Sequence, residues 1–202
     1  MNRTRIEEQI GFLLEIDKVK NVFRQTRILD GSRRENDAEH AWHLAVMALV
    51  LSETANRMDL DLLKVVKMVL IHDLVEIDTG DTLVYDSAAR EERKREEVEA
   101  AARIFGLLPE DQAQDFLDLW EEFEARRTPE ARFAACLDRL EPILQNVAQG
   151  GKLWREKGLT RKRVEDVNRH MREGSEALWA YARRLMEECE EKGAFAGEED
   201  DG

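Results

Sequence analysis

Apolar residues recur at helical spacing in the first part of the chain. Ile6, Ile10 and Leu13 fall on one face of a helix with 3.6 residues per turn. We therefore predict an amphipathic helix from about Thr4 to Val22. A charged stretch, residues 30–36, follows this helix and predicts a loop.

Two later stretches are apolar almost all round. Residues 44–51 and 65–71 contain almost only apolar side chains and lie within predicted helices from Ala38 to Asn56 and from Asp61 to Glu76. Helices without a polar face are typically buried at the centre of a bundle. Their ends are therefore suitable places to hold functional groups rigidly.

The second half of the chain also predicts helices. Thr128 and Pro129 form a helix start, with threonine as the N-cap and proline at the first helical position. Gly80 interrupts the chain within a predicted loop from Thr79 to Ser87. The further predicted helices are Ala88–Phe105, Pro109–Arg126, Pro129–Gln149 and Thr160–Lys192.

Together these elements predict an all-α fold, a single helical bundle. The chain has 202 residues, enough for one domain with a substantial core and too few for two typical domains without a linker. Proline and glycine are scarce, with 3 and 11 residues, which favours helices. We expect the domain to span residues 1–192 and residues 193–202 to form an acidic, disordered tail.

Charge and composition narrow the range of partners. The formal net charge is −13, which argues against a nucleic-acid polymer because phosphate backbones are bound by clustered lysine and arginine. The charged N-terminus has no uninterrupted apolar run, so we expect neither secretion nor membrane insertion. Two cysteines, Cys136 and Cys189, are too few for a disulfide framework and favour a cytoplasmic location. Apolar helices near the ends of so short a chain are compatible with a homodimer.

The most informative motif is the pair His72-Asp73, at the end of the second apolar stretch. Taken alone, a histidine stabilised by the helix dipole explains it as well as a metal ligand does. His40 begins the preceding apolar helix, however, and Asp138 lies far downstream. Imidazole nitrogen and carboxylate oxygen together suit divalent ions such as Mn, Fe, Co and Zn.

In this order, His40, His72-Asp73 and Asp138 resemble the motif of the HD-domain superfamily of metal-dependent phosphohydrolases. The resemblance implies that these four residues hold one divalent metal ion, which can be Mn, Co, Fe, Zn or Mg. It also implies an HD-type helical bundle in which the four side chains converge on one point.

The residues around the histidines look most like the branch that contains the 5'-deoxynucleotidases. The similar stretches are Glu39-His40, residues 72–76 and Gly80-Asp81, and the resemblance runs from about residue 12 to residue 145. It implies hydrolysis of nucleoside 5'-monophosphates, in particular the deoxy forms, by attack of metal-activated water.

Glu76 and Asp81 are the catalytic pair that this resemblance implies. On an α-helix, His72 and Glu76 lie one turn apart on the same face, and Asp73 points about 100° away. Glu76 would then lie beside the ion, where a carboxylate accepts or steers the proton of a water molecule. Asp81, beyond Gly80, could do the same from the other side or donate to a leaving oxygen.

A phosphate needs cations, which an acidic protein has to supply locally. Arg24 falls at the end of the first predicted helix, where the resembling enzymes keep an arginine that reaches the phosphate. Arg33 and Arg34, just before the second predicted helix, are rivals for this role. The resembling deoxynucleotidases carry a tryptophan beside their arginine to sense the missing 2'-hydroxyl, whereas the neighbour here is Phe23 or Gln25. We therefore expect a weaker preference for deoxyribose.

The remaining histidines and acids are assigned to supporting positions. We expect His43, one turn after His40, to lie behind a ligand, on the substrate side or in the core rather than to bind the ion. His170 is expected to be a surface residue. Asp78 and Glu141 are expected to be solvated or to surround the ligands.

Other functions compete with this interpretation. An oxidative enzyme with two irons needs further histidines before Asp138, and residues 74–137 contain none. A ferritin-like site needs Glu-x-x-His pairs, but Asp37 and Val69 stand three residues before His40 and His72. A non-catalytic nucleotide-binding regulatory module stays open as an alternative, as does a phosphohydrolase for another small phosphorylated metabolite.

Overall fold

Helices form most of the regular structure in the computed structural model, which describes residues 3–81 and 90–196. Within these residues β1 (Phe23–Arg27) and β2 (Arg34–Asn36) form an antiparallel pair. The helices are α1 (Arg5–Ile16), α2 (Asp37–Leu51), α3 (Leu62–Ile71), α4 (Glu76–Thr79), α5 (Arg90–Phe105), α6 (Glu110–Ala125), α7 (Pro129–Ala148), α8 (Lys152–Glu156), α9 (Arg161–Asn168), α10 (Met171–Gly174) and α11 (Glu176–Glu190). The all-α prediction is confirmed, with this short hairpin as an addition. None of the described helices is both long and apolar enough to cross a membrane.

The central helix of the bundle is α7. It packs against α3, α10 and α11, and its side chains include the fully buried Phe133 and Leu137. It starts as predicted, with Pro129 in the first turn and the Thr128 side chain accepting a hydrogen bond from the Ala131 N–H. Because neighbouring helices cover α7 on several sides, four of its polar residues are buried, and they are Asp138, Glu141, Gln145 and Asn146.

The helices predicted to be apolar all round are only partly buried. Leu44 and Ala48 of α2 and Met68 of α3 are fully buried in the shared core. The prediction of full burial is nevertheless wrong for the outer face of α2, because no described helix packs over it. Four apolar residues on that face, which we call the α2 stripe, are 38–66% exposed, and they are Trp42, Val46, Leu49 and Val50.

The first predicted helix is too long. α1 ends at Ile16, a 3₁₀ turn covers Asp17–Asn21, and β1 follows. The partner of β1 is β2, which lies at the end of the predicted loop 30–36. The chain leaves the α-helix six residues earlier than predicted and enters this hairpin. Arg24 therefore lies on a strand and not at the end of a helix.

The chain changes helix type at His72. α3 ends at Ile71, and residues 72–75 form a 3₁₀ turn before α4. In a 3₁₀ helix, side chains three residues apart eclipse one another. Asp73 and Glu76 therefore share a face, and their carboxylate oxygens lie within 4.8 Å of each other. The predicted α-helix would have placed Glu76 on the face of His72 instead.

The long helix predicted from Thr160 to Lys192 is three helices, α9 to α11. The chain turns at Gly174, where an added Cβ atom would lie only 2.3 Å from the main-chain oxygen of Arg132 in α7. Backbone thus packs directly against backbone at this point. Ser175 then caps α11, with its side chain accepting a hydrogen bond from the Leu178 N–H.

The end of the chain is folded further than predicted. Ala194 is fully buried, and the ring of Phe195 stacks on Trp154 of α8 with the ring centroids 4.6 Å apart. Because these apolar contacts hold them, residues 193–196 belong to the folded body and not to the predicted acidic tail. Residues 197–202, and most of the predicted loop 79–87, lie outside the described residues.

We expect Gly174→Ala to lower the free energy of unfolding by about 1–3 kcal/mol, because the added methyl group is forced against the backbone of α7. Urea unfolding followed by circular dichroism measures this change. The control is Gly11→Ala in α1, where nothing lies within 4 Å of an added Cβ atom and alanine is the better helix former. Equal urea midpoints for the two variants would show that the close packing at Gly174 is not a constraint.

Candidate active site

Two histidines and two aspartates meet at one point inside the bundle. The Nε2 atom of His40 lies 3.1 Å from Oδ1 of Asp138, and Nε2 of His72 lies 3.5 Å from the same oxygen. Asp73 completes the group, with Oδ1 3.1 Å from His72 Nε2 and Oδ2 3.9 Å from His40 Nε2. The structure thus brings together all four residues that the sequence analysis selected as metal ligands.

Three helices position this group. His40 lies in the first turn of α2, which begins with a capping box: the Asn36 side chain accepts from the Glu39 N–H, and the Glu39 carboxylate accepts from the Asn36 N–H. The His-Asp pair directly follows α3, and Asp138 lies in the middle of α7. Because these helices pack together in the core, their side chains are held by the fold and not by a loop.

A contact at the Nδ1 atom orients each of the two imidazole rings. The Nδ1 atom of His72 lies 3.0 Å from the carbonyl oxygen of Val69 and donates to it. The Nε2 atom of His72 is buried and makes no hydrogen bond, although the two aspartates face it. His40 presents its Nε2 atom to the same point because its Nδ1 atom faces Glu141 Oε2 at 3.2 Å. Two imidazole nitrogens and two carboxylates around one point fit a divalent cation.

The charges of these four residues depend on one another. Burial lowers the pKa of His72, but Asp73 and Asp138 outweigh burial and raise it to about 10. Burial raises the pKa of Asp138, but Arg139 and the two histidines outweigh it and hold the pKa well below its usual range. The aspartates thus stay ionised and attract positive charge to this point, either as protons on the rings or as a cation.

Behind His40 lies a second buried network. The carboxylate of Glu141 faces His40, faces His43 Nδ1 at 3.3 Å, and accepts a hydrogen bond from the side-chain amide of Gln145. Burial raises the pKa of Glu141, but the contacts with His40 and His43 outweigh burial and lower it. A carboxylate in this position fixes a ligand histidine and raises its basicity. Glu141 therefore lies directly behind His40, whereas Asp78 forms a partly exposed ion pair with Arg103.

Arg24 is the buried cation of the site. Its Nη1 atom donates to Oδ2 of Asp73 at 2.8 Å and lies 3.7 Å from Asp37, and its Nε atom lies 3.8 Å from Glu35. Its side chain is only 12% exposed. Burial lowers the pKa of the guanidinium, but Asp73 and the other nearby acids outweigh it and the net shift is upward. Although Arg24 lies on β1 and not on a helix, it still reaches the predicted site.

The rival arginines do not reach this cluster. Arg33 is 51% exposed and forms a bidentate ion pair with Glu39, with distances of 2.7 and 2.8 Å. Arg34 is exposed on β2. The cavity next to the cluster is lined instead by four basic residues that the sequence analysis missed, Arg93, Lys94, Arg126 and Arg139. Arg139 did carry a signal, because it directly follows Asp138 in the sequence.

Glu76 and Asp81 also line this cavity. The Oε2 atom of Glu76 is buried and has no hydrogen-bond partner, and burial together with Asp73 raises the pKa of this carboxyl. Asp81 accepts a hydrogen bond from the Gln25 N–H at 2.9 Å, which ties it to β1. Burial raises the pKa of Asp81. Both carboxyl groups therefore hold protons more readily than solvated ones.

Asp37 is a site residue that the sequence analysis missed. It is 1% exposed, neither of its carboxylate oxygens has a hydrogen-bond partner, and burial and Asp73 raise its pKa. One of its oxygens lies within 4.8 Å of oxygens of Asp73 and Glu76. The available signal was its position in the first turn of α2, three residues before His40.

Six of these residues line one cavity of about 360 Å³, and they are Arg24, His72, Asp73, Glu76, Asp81 and Asp138. Pockets of a few hundred Å³ typically bind small molecules. Much of the rest of the wall is apolar or carries amides, and the residues are Phe123, Pro142, Ile143, Asn146, Leu153, Trp154 and Asn168. The cavity thus combines a charged end with a less polar wall.

His170 is not the surface residue that was predicted. Its Nδ1 atom lies 3.1 Å from the carbonyl oxygen of Val167, and its buried Nε2 atom has no hydrogen-bond partner. Burial, with Arg126 and Arg139 nearby, lowers its pKa to about 4. The ring is partly buried because the chain turns between α9 and α10 instead of continuing as one helix.

Comparison with known proteins gives relatives that share this fold. A human protein named 5'-deoxynucleotidase HDDC2 is 35% identical over 136 residues, which are 67% of this chain and 62% of the human protein. This chain therefore spans less than two thirds of that relative. A 5'-deoxynucleotidase of Schizosaccharomyces pombe, hdd1, is 26% identical over 79% of this chain and 81% of its own.

A solved structure is similar over almost the whole chain. It is the crystal structure of a predicted metal-dependent phosphohydrolase from Magnetospirillum magnetotacticum MS-1, which is 49% identical, covers 96% of both chains and has a TM-score of 0.89. The sequence also matches the HD domain family over residues 16–179. The His and Asp residues converge on one point, and the family match covers most of the chain. The chain therefore belongs to the HD domain family.

Proposed function

We propose that this protein is a metal-dependent phosphomonoesterase that hydrolyses nucleoside 5'-monophosphates, in particular the deoxy forms, to nucleoside and phosphate. The observation that carries the proposal is the convergence of two histidines and two aspartates beside a buried arginine, with Arg24 Nη1 2.8 Å from Asp73 at one cavity. A cation site next to a guanidinium suits a phosphate monoester. The names of the human and fission yeast relatives support the nucleotide substrate.

His40, His72, Asp73 and Asp138 are the proposed ligands of one divalent ion, which can be Mn, Co, Fe, Zn or Mg. When bound, the ion supplies Lewis acidity, which polarises a phosphoryl group and lowers the pKa of water toward about 7. The unpaired Nε2 atom of His72 supports this assignment. So does the support that Glu141 gives to His40 from behind.

The surrounding side chains bind the phosphate and move protons. Arg24 holds phosphate oxygens through charge-assisted hydrogen bonds. Glu76 accepts the proton of the attacking water, because its buried carboxyl next to Asp73 has a raised pKa and is a stronger base than a solvated one. Asp81, held against β1 by the Gln25 N–H, donates a proton to the leaving oxygen.

We also propose a homodimer and a cytoplasmic location. The α2 stripe is exposed and apolar, and a two-fold axis passing over it would bury it against its own copy. Cys136 and Cys189 are both free thiols, which supports a reducing compartment. A solution mass of one chain, measured by light scattering, would rule out the dimer.

A phosphate-release screen tests the function. It compares matched deoxy and ribo nucleoside 5'-monophosphates with other phosphomonoesters, in the presence of Mn, Co, Zn or Mg. We expect release from the nucleotides, with a weaker deoxy preference than an enzyme with a tryptophan beside its arginine, because Phe23 and Gln25 flank Arg24. Release from other esters alone would refute the substrate, and no release with any metal would refute the activity.

Asp73→Ala should remove the metal ion and the activity together, because a ligand is lost. Glu76→Ala should leave the ion largely bound and lower kcat by about 10²–10⁴-fold, as loss of a general base does. Metal content by mass spectrometry and kcat are measured on the same samples. Asp78→Ala, which removes a carboxylate from an ion pair with Arg103 outside the cavity lining, is the control. If metal is lost from Glu76→Ala as well, Glu76 is a ligand and not the base.

Arg24→Ala should weaken binding of the phosphate substrate about 10- to 100-fold, because a charge-assisted contact is removed. The matched control is Arg33→Ala, which removes an exposed guanidinium paired with Glu39 and should bind substrate normally. Substrate affinity from initial rates is measured together with metal content, so that an indirect effect through Asp73 is recognised. If Arg24→Ala binds the substrate with normal affinity, another basic residue binds the phosphate.

A further inference from the structure

The hydroxyl group of Thr26 is buried without a partner. Thr26 lies on β1 and is 8% exposed, and its Oγ1 atom makes no hydrogen bond. The residue lines the main cavity and also a small adjoining cavity of about 30 Å³. A buried hydroxyl without a partner costs free energy, so its presence in a cavity wall points to a polar ligand.

Thr26 is close to the proposed phosphate contact along the chain. Two residues of extended chain span at most about 7 Å, and Thr26 follows Arg24 by two residues on β1. Both residues line the same cavity. A ligand whose phosphate contacts Arg24 can therefore extend along the wall to Thr26, and in a nucleotide the group bonded to the phosphate is the sugar.

The facing wall is a row of residues on α7. Asp138, Pro142 and Asn146 are spaced by four residues and all line the cavity, so this row extends about 12 Å along the helix from the metal-binding group. At its far end, Asn146 is 6% exposed, and its Nδ2 atom donates to the Pro142 carbonyl at 2.9 Å. This hydrogen bond fixes the side-chain amide in the wall.

Strand and helix are held together at this end of the cavity. The side-chain amide of Gln149, just after α7, donates to the carbonyl oxygens of Arg27 and Ile28 at 3.0 and 3.2 Å. Next to it, Gln145 has a buried Oε1 atom without a hydrogen-bond partner and lines the small cavity together with Thr26 and Asn146. The polar groups of this corner are thus preorganised but incompletely hydrogen-bonded.

We propose that Thr26 and Asn146 form the sugar subsite of the cavity, with the Thr26 hydroxyl hydrogen-bonded to a hydroxyl group of the substrate's sugar. A threonine hydroxyl both donates and accepts, which matches the chemistry of a sugar hydroxyl. The proposal rests on the proposed function and names the residues that recognise the sugar where no tryptophan flanks Arg24.

The test is the variant Thr26→Val, which keeps the branched shape and removes the hydroxyl. kcat/KM is measured for matched deoxy and ribo nucleoside 5'-monophosphates and for para-nitrophenyl phosphate, which has no sugar. We expect the ratio of nucleotide to sugarless ester to fall about 3- to 10-fold, the effect of one neutral hydrogen bond. Asn146→Ala should lower the same ratio, which keeps the proposal testable if Thr26→Val does not fold.

Thr54→Val is the matched control. Its hydroxyl donates to the Leu51 carbonyl and the residue does not line the cavity, so the ratio should stay at its wild-type value. Unchanged ratios in folded Thr26→Val and Asn146→Ala would overturn the sugar subsite, and so would equal losses on all substrates. A wild-type protein that cleaves only the sugarless ester would instead refute the proposed nucleotide substrate, which separates the two failures.

Discussion

The ion pair between Arg24 and Asp73 is the interaction on which the site depends. A guanidinium that is only 12% exposed has to be paired, because an unpaired buried charge costs several kcal/mol. The pairing holds β1 against the turn that follows α3, and Asp37 at the start of α2 and Glu35 on β2 lie 3.7 and 3.8 Å from the same side chain. One arginine thus joins the hairpin and the start of α2 to the turn that follows α3.

The same arginine faces more negative charge than it can neutralise. The acids around it are Glu35, Asp37, Asp73, Glu76, Asp81, Asp138 and Glu141, and the upward pKa shifts of Glu35, Asp37 and Glu76 follow from burial among like charges. A core built for stability alone would not collect carboxylates in this way. Their density indicates that the fold is completed by additional positive charge, which a divalent cation can provide.

The four proposed metal ligands could be predicted from the sequence, whereas several details of the fold could not. His72-Asp73 could be selected because it ends an apolar run, while Asp138 needed the resemblance to a known family. The hairpin was not predicted, because β1 and β2 have only five and three residues and charged side chains in place of the alternating apolar pattern of a strand. The break at Gly174 depends on the approach of Arg132 from another helix. Apolar residues on all sides of α2 predicted burial, but only the neighbouring helices determine which side is covered.

Phe195 lies outside the matched family region but stacks on Trp154, a residue of the cavity wall. Trp154 lines the cavity, and its outer ring face is covered by a residue that lies after the end of the family match at residue 179. Gly151 adds to this contact, because an added Cβ atom there would lie 2.4 Å from Ala194. Ala194 and Phe195 are therefore part of the support of the cavity wall. A protein shortened to the family boundaries would keep every proposed metal ligand and lose the surface on which that wall rests.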